Sequence, residues 1–237
     1  MNTTPSLSDH PDRDLRQRDL VAPEKLATCR AVVVGVGAIG HQVALQLAAI
    51  GLLQVDLFDH DTVEAVNLAP QGYFPADLGQ AKVDATAALC LQIHPAIQIM
   101  RHPERFTRAS PKLLASLERP QRSERLIVFC CVDSIGTRRL VWEALRDRAS
   151  FFVDGRMSAE VIRVLACGNP SCDVHYASTL FEPQQAYIGS CTAKSTIYTA
   201  SIAAGLMLSQ FTRWLRGLPV DQDLSLNLLT SELSVAN

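Results

Sequence analysis

The stretch RAVVVGVGAIGHQVALQLAAIGLLQVDLFDHDTVEAVN, residues 30–67, decides the fold. Its β-branched start leads into a turn that carries Gly35, Gly37 and Gly40, and an apolar pattern of helical period follows. A second strand pattern then ends at Asp59, about 20 residues beyond the glycines. Strand, glycine-rich turn, helix, strand and acid in this order indicate a nucleotide-binding unit.

These residues have separate expected roles in nucleotide binding. The glycines would supply a tight turn, a close approach of the backbone to phosphate, and close packing of the helix on the strand. The N-terminus of the helix would offer unpaired N–H groups and the positive end of its dipole. The Asp59 carboxylate would accept hydrogen bonds from ribose hydroxyls. The alternative for Asp59 is an ordinary solvated acid at the end of a strand.

The sequence after Asp59 narrows the class of nucleotide enzyme. It reads DHDTVEAVNL and then QGYFPADLGQAK, and a dehydrogenase does not need a second acid, an asparagine and a lysine at these spacings. The run resembles the ThiF/MoeB family of adenylating enzymes related to ubiquitin activation, whose members carry D-x-D-x-V-x-x-x-N-L, an Arg-Gln pair, G-x-x-K and a later C-x-D. The matching positions are Asp59, Asp61, Val63, Asn67, Leu68, Gln71, Gly79, Lys82, Cys131 and Asp133, and the resemblance spans residues 14–217.

The resemblance implies ATP and Mg²⁺ as cofactors and assigns roles to four more side chains. Lys82 would serve the ATP phosphates, Asn67 would place an amide near them, and Asp133 would hold Mg²⁺. Asp61 would support Asp59. Each residue also has an ordinary interpretation: a turn residue for Asp61 and Asn67, a solvated lysine at a helix start, and a helix cap for Asp133.

An Arg-Gln pair also precedes the first strand. Arg16-Gln17 matches a family pair whose arginine reaches the ATP bound by the partner subunit, although Arg13 and Arg18 blur the assignment. The match implies a homodimer with composite sites. A cation brought across the interface would offset charge that builds on the transferring phosphoryl group.

One position departs from the family pattern. Where the family has the arginine of N-L-x-R-Q, this chain has Pro70, which carries neither a charge nor a backbone donor. Loss of one such contact costs about 100-fold or more in rate. The enzyme would therefore use another arginine, work slowly, or be inactive.

The cysteines carry two expectations. The chain has seven but no C-x-x-C pairs, so we expect no structural zinc. Cys191 lies in GSCTAKS before a long apolar helix, where the helix N-terminus and Lys194 would lower its thiol pKa. Relatives that form thioesters or persulfides keep a cysteine in this region, so Cys191 is a candidate nucleophile; the alternative is a small apolar residue. Arg156, in DGRM, is a candidate for binding an acyl-adenylate or an ordinary ion-pair residue.

Composition and charge exclude several classes of protein. The chain has 237 residues, 48% of them hydrophobic, with a formal charge of −2, so it can bury a core and offers no basic field to nucleic acid. Residues 1–13 read as a flexible arm without a signal-peptide core, and residues 14–237 as a single adenylation domain in the cytoplasm. The apolar stretch within residues 196–214 contains serines, Gln210 and Arg213, which favours a buried helix over a membrane span.

Alternating strand and helix patterns predict an α/β fold: a Rossmann-like, mostly parallel sheet flanked by helices, with an antiparallel C-terminal extension. The predicted strands lie near residues 31–34, 53–58, 97–101, 126–131 and 151–153. The predicted helices lie near residues 39–50, 82–93, 110–117, 135–148 and 195–215. The pattern of residues 160–187 predicts antiparallel strands and loops.

The function that the resemblance implies is ATP-dependent adenylation of the C-terminal carboxylate of a small ubiquitin-like β-grasp protein. Thioester formation or sulfur transfer would follow where a thiol captures the product. The first alternative is a NAD-dependent oxidoreductase, for which an obvious proton-relay residue is missing. The second is a degenerate, non-catalytic scaffold that binds nucleotide or the ubiquitin-like partner, and Pro70 favours it.

Overall fold

The computed structural model describes residues 13–116, 125–180 and 195–236. The expected N-terminal arm falls outside these ranges except for Arg13, and Cys191 falls outside them as well. The strands are β1 Cys29–Val34, β2 Gln54–Phe58, β3 Gln98–His102, β4 Arg125–Cys130, β5 Ala149–Ser158, β6 Val161–Cys167, β7 Asp223–Asn227 and β8 Glu232–Ala236. The helices are α1 Pro23–Leu26, α2 Ala38–Ile50, α3 Ala65–Gln71, α4 Lys82–Ile93, α5 Ser110–Ser116, α6 Ile135–Leu145, α7 His175–Ser178 and α8 Ile197–Leu215, with short 3₁₀ helices at Pro75–Asp77 and Pro170–Cys172.

All eight strands form one sheet in the order β3-β2-β1-β4-β5-β6-β7-β8. The first five strands pair in parallel, and β5 to β8 pair in an antiparallel manner. The predicted fold class is therefore confirmed. Antiparallel strands were expected within residues 160–187, where β6 lies. Two further antiparallel strands, β7 and β8, lie after this segment.

The two faces of the sheet are covered by different helices. All six residues of β1 are buried: Ala31 and Val33 pack in one core with α2, α4 and α8, whereas Val32 and Val34 pack in a second core with α5, α6 and α7. A parallel strand that is covered on both sides reads as a continuous apolar run, which explains the β-branched start of the motif. No helix in the described ranges is long and apolar enough to cross a membrane.

The connections create a crevice at one edge of the sheet. From β1 the chain moves outward to β2 and β3 on one side, and it later places β4 and β5 on the other. The helix after β1, α2, packs on one face, and the helix after β4, α6, packs on the opposite face. In open α/β sheets ligands bind at such a point, outside the carboxyl ends of the strands.

Among the elements that differ from the sequence prediction, β5 and α3 lie near the crevice. β5 is ten residues long and not three, because it continues past its parallel pairing with β4 into antiparallel pairing with β6. The helix α3, Ala65–Gln71, was not predicted, since Pro70 lies inside it. Among the predicted helices, α4 has the expected bounds.

Candidate nucleotide-binding site

The three glycines of the loop after β1 are needed for different reasons. Gly35 has φ of +86°, and a Cβ there would lie 2.8 Å from the carbonyl oxygen of Cys131. A Cβ on Gly40 would lie 1.8 Å from the carbonyl oxygen of Gly35, so no larger residue fits. A Cβ on Gly37 would meet no atom of the described residues within 4 Å. The fold therefore requires Gly35 and Gly40, whereas Gly37 faces open space that a ligand can fill.

The loop leads directly into the N-terminus of α2. Gly37 occupies the cap position, and no side chain of the described residues caps this end of the helix. The first N–H groups of a helix have no partner within it, and together they carry a partial positive charge. This arrangement suits an anion such as a nucleotide phosphate.

Asp59 follows β2 and lies against the glycine loop. Its Oδ2 accepts a hydrogen bond of 2.7 Å from the N–H of Val36, and its Oδ1 accepts one of 2.9 Å from the N–H of Asp61. The two backbone donors fix the carboxylate, and each oxygen keeps a lone pair for another donor. The structure thus brings Asp59 to the glycines, as the motif predicts.

Asp61 and Lys82 form one unit. Lys82 Nζ lies 3.1 Å from Asp61 Oδ2, and the Lys82 N–H donates to the Asp61 carbonyl oxygen at 3.0 Å. The Lys82 side chain is 7% exposed and that of Asp61 is 49% exposed. Lys82 is therefore not a solvated lysine at a helix start. A phosphate that reaches its ammonium group would join an existing ion pair.

Asn67 and Pro70 both lie in α3. Asn67 Oδ1 accepts a hydrogen bond of 2.9 Å from the N–H of Glu64, which closes the first turn of the helix. The oxygen of Asn67 is thus committed to the fold, and its NH₂ group is the part that can face a ligand. Pro70 is half-buried in the last turn and places no charge there.

Asp133 lies three residues beyond the end of β4. The preceding Cys131 donates its N–H to the Val34 carbonyl oxygen at 2.8 Å, which holds this segment beside the glycine loop. The helix cap is Ser134, whose Oγ accepts from the Thr137 N–H at 3.1 Å, so the cap role considered for Asp133 is wrong. Asp133 is exposed and has no hydrogen-bond or ion-pair partner among the described residues.

Arg16 lies far from the glycine loop of its own chain. Arg13 donates to the carbonyl oxygen of Ala48 and Gln17 donates to that of Ile50, so both residues cap the C-terminus of α2. Because α2 has 13 residues, this end is about 20 Å from the end that follows Gly37. Arg16 is exposed beside Gln17, and the structure does not bring it together with the other candidate residues.

Three residues of the sequence analysis remain: Cys131, Arg156 and Cys191. Burial raises the pKa of the Cys131 thiol well above its ordinary value, so it stays protonated beside the loop at neutral pH. Arg156 donates to buried Asp154 at 2.7 Å and to the Thr179 carbonyl oxygen at 3.1 Å, which makes it an ion-pair residue. Cys191 lies outside the described residues, so its role stays a prediction.

Within the described ranges, a single group of three side chains has the spacing of a metal site: Asp59, His60 and Asp61. His60 Nε2 lies 3.2 Å from Asp61 Oδ1, and both side chains are exposed. This group belongs to the same crevice edge as Lys82. The absence of structural zinc stays a prediction.

Sequence reasoning missed a residue that touches the glycine loop. Tyr73 is buried, and its Oη donates a hydrogen bond of 2.6 Å to the carbonyl oxygen of Val36. It packs with Val63, Ala85 and Leu68 in a small separate core. No local pattern marks this tyrosine, because the contact joins residues that are distant in the chain.

The chain is similar in sequence to a protein family and to several curated proteins. The model of the ThiF family matches residues 12–234. The chain is 35% identical over 135 residues to the adenylyltransferase and sulfurtransferase MOCS3 of Sus scrofa, a match that covers 54% of this chain and 28% of that protein. It is 25% identical over 207 residues to the ubiquitin-like modifier-activating enzyme 5 of Oryza sativa subsp. japonica, covering 81% and 49%. The chain thus spans about half or less of these curated relatives.

Solved structures share the fold along the whole chain. The crystal structure of PaaA has a TM-score of 0.77 at 18% identity and covers 100% of this chain and 85% of its own. The structure of E. coli MccB with AMPCPP and MccA has a TM-score of 0.69 at 16% identity and covers 98% and 73%. At these identities the similarity concerns the fold alone.

Proposed function

The chain belongs to the ThiF family, and on this premise we propose that it is an ATP-dependent adenylyltransferase that activates the C-terminal carboxylate of a small ubiquitin-like protein. The observation that carries the proposal is the meeting of the glycine loop, Asp59, the Asp61–Lys82 pair and Asp133 at one edge of the parallel sheet. The similarity to MOCS3 and to ubiquitin-like modifier-activating enzyme 5 supports the substrate class.

In this proposal each part of the crevice contacts a different part of ATP. The phosphates lie at the N-terminus of α2, where Gly37 leaves room. Asp59 accepts hydrogen bonds from the ribose hydroxyls. Lys82 offers its ammonium group to the phosphates as a point charge, and Asn67 offers its NH₂ group.

Asp133 fits the requirements of a magnesium ligand. Mg²⁺ prefers one or two carboxylates together with phosphate oxygens and water. Asp133 is an exposed carboxylate without a protein partner in the described ranges, at the edge where the phosphates would lie. When bound, the ion would neutralise charge on the phosphates.

The reaction joins the acceptor carboxylate to AMP. A carboxylate oxygen attacks the α-phosphorus, a new P–O bond forms, and the bond to the bridging oxygen breaks. Pyrophosphate leaves with that electron pair, and an acyl-adenylate remains. Because Pro70 supplies no cation, Lys82 and a second positive group must offset the developing charge.

We assign that second group to Arg16 of the partner subunit. Arg16 lies about 20 Å from its own glycine loop, at the opposite end of α2, so it is available to another molecule and not to its own site. Its partner in this role would be a second copy of the chain, since most soluble oligomers are symmetric. The proposal therefore includes a homodimer.

Cys191 completes the proposal as the candidate acceptor of the activated acyl group. Its thiolate would attack the acyl carbonyl and release AMP, which leaves a thioester. Incubation with ATP and the ubiquitin-like protein should then give a reductant-sensitive adduct. An equal yield of adduct from Cys191→Ala would assign the thioester to another cysteine.

The test is exchange of labelled pyrophosphate into ATP, with a short β-grasp protein ending in Gly-Gly as acceptor. Exchange that requires both the acceptor and Mg²⁺ supports the adenylyltransferase. Reduction of NAD⁺ by the chain would favour the oxidoreductase, and ATP binding without exchange would favour the non-catalytic scaffold. Reactions without acceptor and with an acceptor lacking its last two glycines are the matched controls.

A further inference from the structure

A hydrogen-bond relay runs through the interior and ends on the glycine loop. Tyr73 Oη lies 2.6 Å from the carbonyl oxygen of Val36 and 3.1 Å from Thr86 Oγ1. Thr86 Oγ1 in turn lies 2.9 Å from His41 Nδ1. Tyr73 is 4% exposed, and Thr86 and His41 are fully buried. Solvent therefore does not compete with the three hydrogen bonds, and each bond depends on the protein alone.

The direction of the relay follows from its last acceptor. A carbonyl oxygen can only accept, so the Tyr73 hydroxyl donates to Val36. The Tyr73 oxygen then accepts the Thr86 proton, and the Thr86 oxygen accepts from Nδ1–H of His41. Burial lowers the pKa of His41 to about 4, so the ring is neutral at pH 7. Its Nε2 has no partner among the described residues, which agrees with a proton on Nδ1.

The relay and Asp59 together fix both polar groups of one loop residue. The Val36 N–H donates to Asp59 Oδ2 at 2.7 Å, and the Val36 carbonyl oxygen accepts from Tyr73 Oη. The Val36 side chain is fully buried as well. The loop is therefore held in one conformation from two sides, by an acid after β2 and by a tyrosine that precedes α4.

The peptide group between Val36 and Gly37 is the part of the loop that this arrangement controls. A trans peptide is planar, so its N–H points away from its carbonyl oxygen and hence away from Tyr73. The Gly37 N–H has no partner among the described residues, and the space beside Gly37 is open. A strong hydrogen bond to the carbonyl oxygen polarises the peptide and makes its N–H a better donor.

We propose that Tyr73, held in place by Thr86 and His41, is a positioning residue that aims the Gly37 N–H at a nucleotide phosphate. This inference rests on the proposed nucleotide site and adds residues that the family motif does not contain. Tyr73 does not touch the nucleotide; it acts through the peptide group. Removal of its hydroxyl should therefore weaken nucleotide binding while the tyrosine ring keeps its packing against His41, 4.4 Å away between ring centres.

The test compares variants that remove or keep single hydroxyl groups. Tyr73→Phe removes the last donor, Thr86→Val removes the middle group at nearly constant volume, and Thr86→Ser keeps its hydroxyl. Tyr176→Phe is the matched control, because Tyr176 is also fully buried but donates to Asp154 and not to the loop. For each variant the measurements are the Kd for ATP with Mg²⁺ and amide hydrogen exchange of residues 35–40 in the nucleotide-free protein.

The expected result is a Kd about tenfold higher for Tyr73→Phe, a smaller increase for Thr86→Val, and wild-type affinity for Thr86→Ser and Tyr176→Phe. Hydrogen exchange of the loop amides should be faster in Tyr73→Phe than in the wild type, whereas Tyr176→Phe should exchange at the wild-type rate. An ATP affinity of Tyr73→Phe equal to that of the wild type overturns the inference. If the wild-type chain does not bind ATP, the proposed function fails; unchanged loop exchange in Tyr73→Phe would then overturn the positioning role, and faster exchange would support it.

Discussion

At the scale of single residues, the crevice consists of side chains that the backbone or a neighbour already holds. Asp59 accepts two backbone N–H groups, Lys82 pairs with Asp61, and Asn67 closes a helical turn. The sequence motif predicts which of these residues meet, because their spacing sets the strand ends. It does not predict the contacts of Asp59 with Val36 and of Lys82 with Asp61, since each joins residues more than 20 positions apart. Asp133 is the exception, as it has no partner in the described chain and is free to bind an ion.

The assignment of Asp133 to Mg²⁺ can be tested with one substitution. We expect Asp133→Asn to abolish Mg²⁺-dependent pyrophosphate exchange while thermal stability stays unchanged, because the side chain is exposed and has no partner among the described residues. Asp147→Asn is the control, since Asp147 is also exposed and lies just beyond the helix that follows Asp133. Near-normal exchange by Asp133→Asn would remove this residue from the metal site.

His41 predicts a pH dependence of stability. Its pKa falls from 6.5 in the unfolded chain to about 4 in the fold, because burial penalises the charged ring more than Asp77 favours it. Between pH 6.5 and 4 the unfolded state binds a proton that the folded state does not, so stability falls as the pH falls through this window. The loss attributable to His41 is about 3 kcal/mol, complete near pH 4.

Urea unfolding at pH 7 and pH 4.5 measures this effect. His41→Gln should show a smaller fall in the free energy of unfolding between the two pH values than the wild type. Thr86→Ser is the control, because it keeps both the imidazole and the hydroxyl that contacts it and should leave the difference as it is. An identical pH dependence in His41→Gln and the wild type would contradict the assignment.

At the scale of elements, α3 is a helix that its own sequence pattern does not predict. It is seven residues long and contains a proline, so its own sequence does not favour a helix. It forms because Leu68 packs against the small core of Val63, Tyr73 and Ala85, and because Gly72 ends it in the left-handed region with φ of +82°. Tertiary packing of this kind overrides local propensity and is not visible in a short window of sequence. The longer helices α2, α4 and α8 were predictable because their apolar period persists.

Pro70 links this element to the reaction rate. Pro70→Arg restores both a backbone donor, for the Val66 carbonyl oxygen one turn earlier, and the cation that the family pattern has at this position. Pro70→Ala restores only the donor and is the matched control. Both variants should gain about 1 kcal/mol in stability, and Pro70→Arg should exchange pyrophosphate at least about tenfold faster than Pro70→Ala. Equal exchange rates in the two variants would mean that another group already fills the role of the arginine.

At the scale of the whole molecule, the sheet order explains why the site lies where it does. The parallel half could be predicted in kind, because strand and helix patterns alternate along the chain as far as β5. The antiparallel half was predicted in kind but misplaced in part, since β7 and β8 are short and β8 is exposed throughout. Arg16 was assigned to a partner subunit by resemblance, and that assignment stays a prediction.

A mixing experiment tests the composite site. Arg16→Ala and Asp133→Asn chains should each be inactive in pyrophosphate exchange alone. In a mixed dimer the Arg16→Ala chain keeps Asp133 and receives Arg16 from its partner, so one working site returns. Arg18→Ala, which changes an exposed neighbouring arginine, should be active without mixing. No recovery after confirmed subunit exchange would mean that Arg16 does not act across the interface.

The pairing of β1 with β4 has a consequence for folding of the chain during its synthesis on the ribosome. Cys29 pairs with Arg125 and Val34 with Cys130. One edge of β1 therefore pairs only after the middle of the chain has been synthesised. Contacts between residues so distant in sequence form slowly, and the edge of β1 that β4 covers stays exposed to aggregation until then. Translation beyond β4 is thus the step at which the glycine loop can first adopt its final shape, because Gly35 is held by the segment that follows β4. Pausing before residue 130 should leave nascent chains dependent on chaperones.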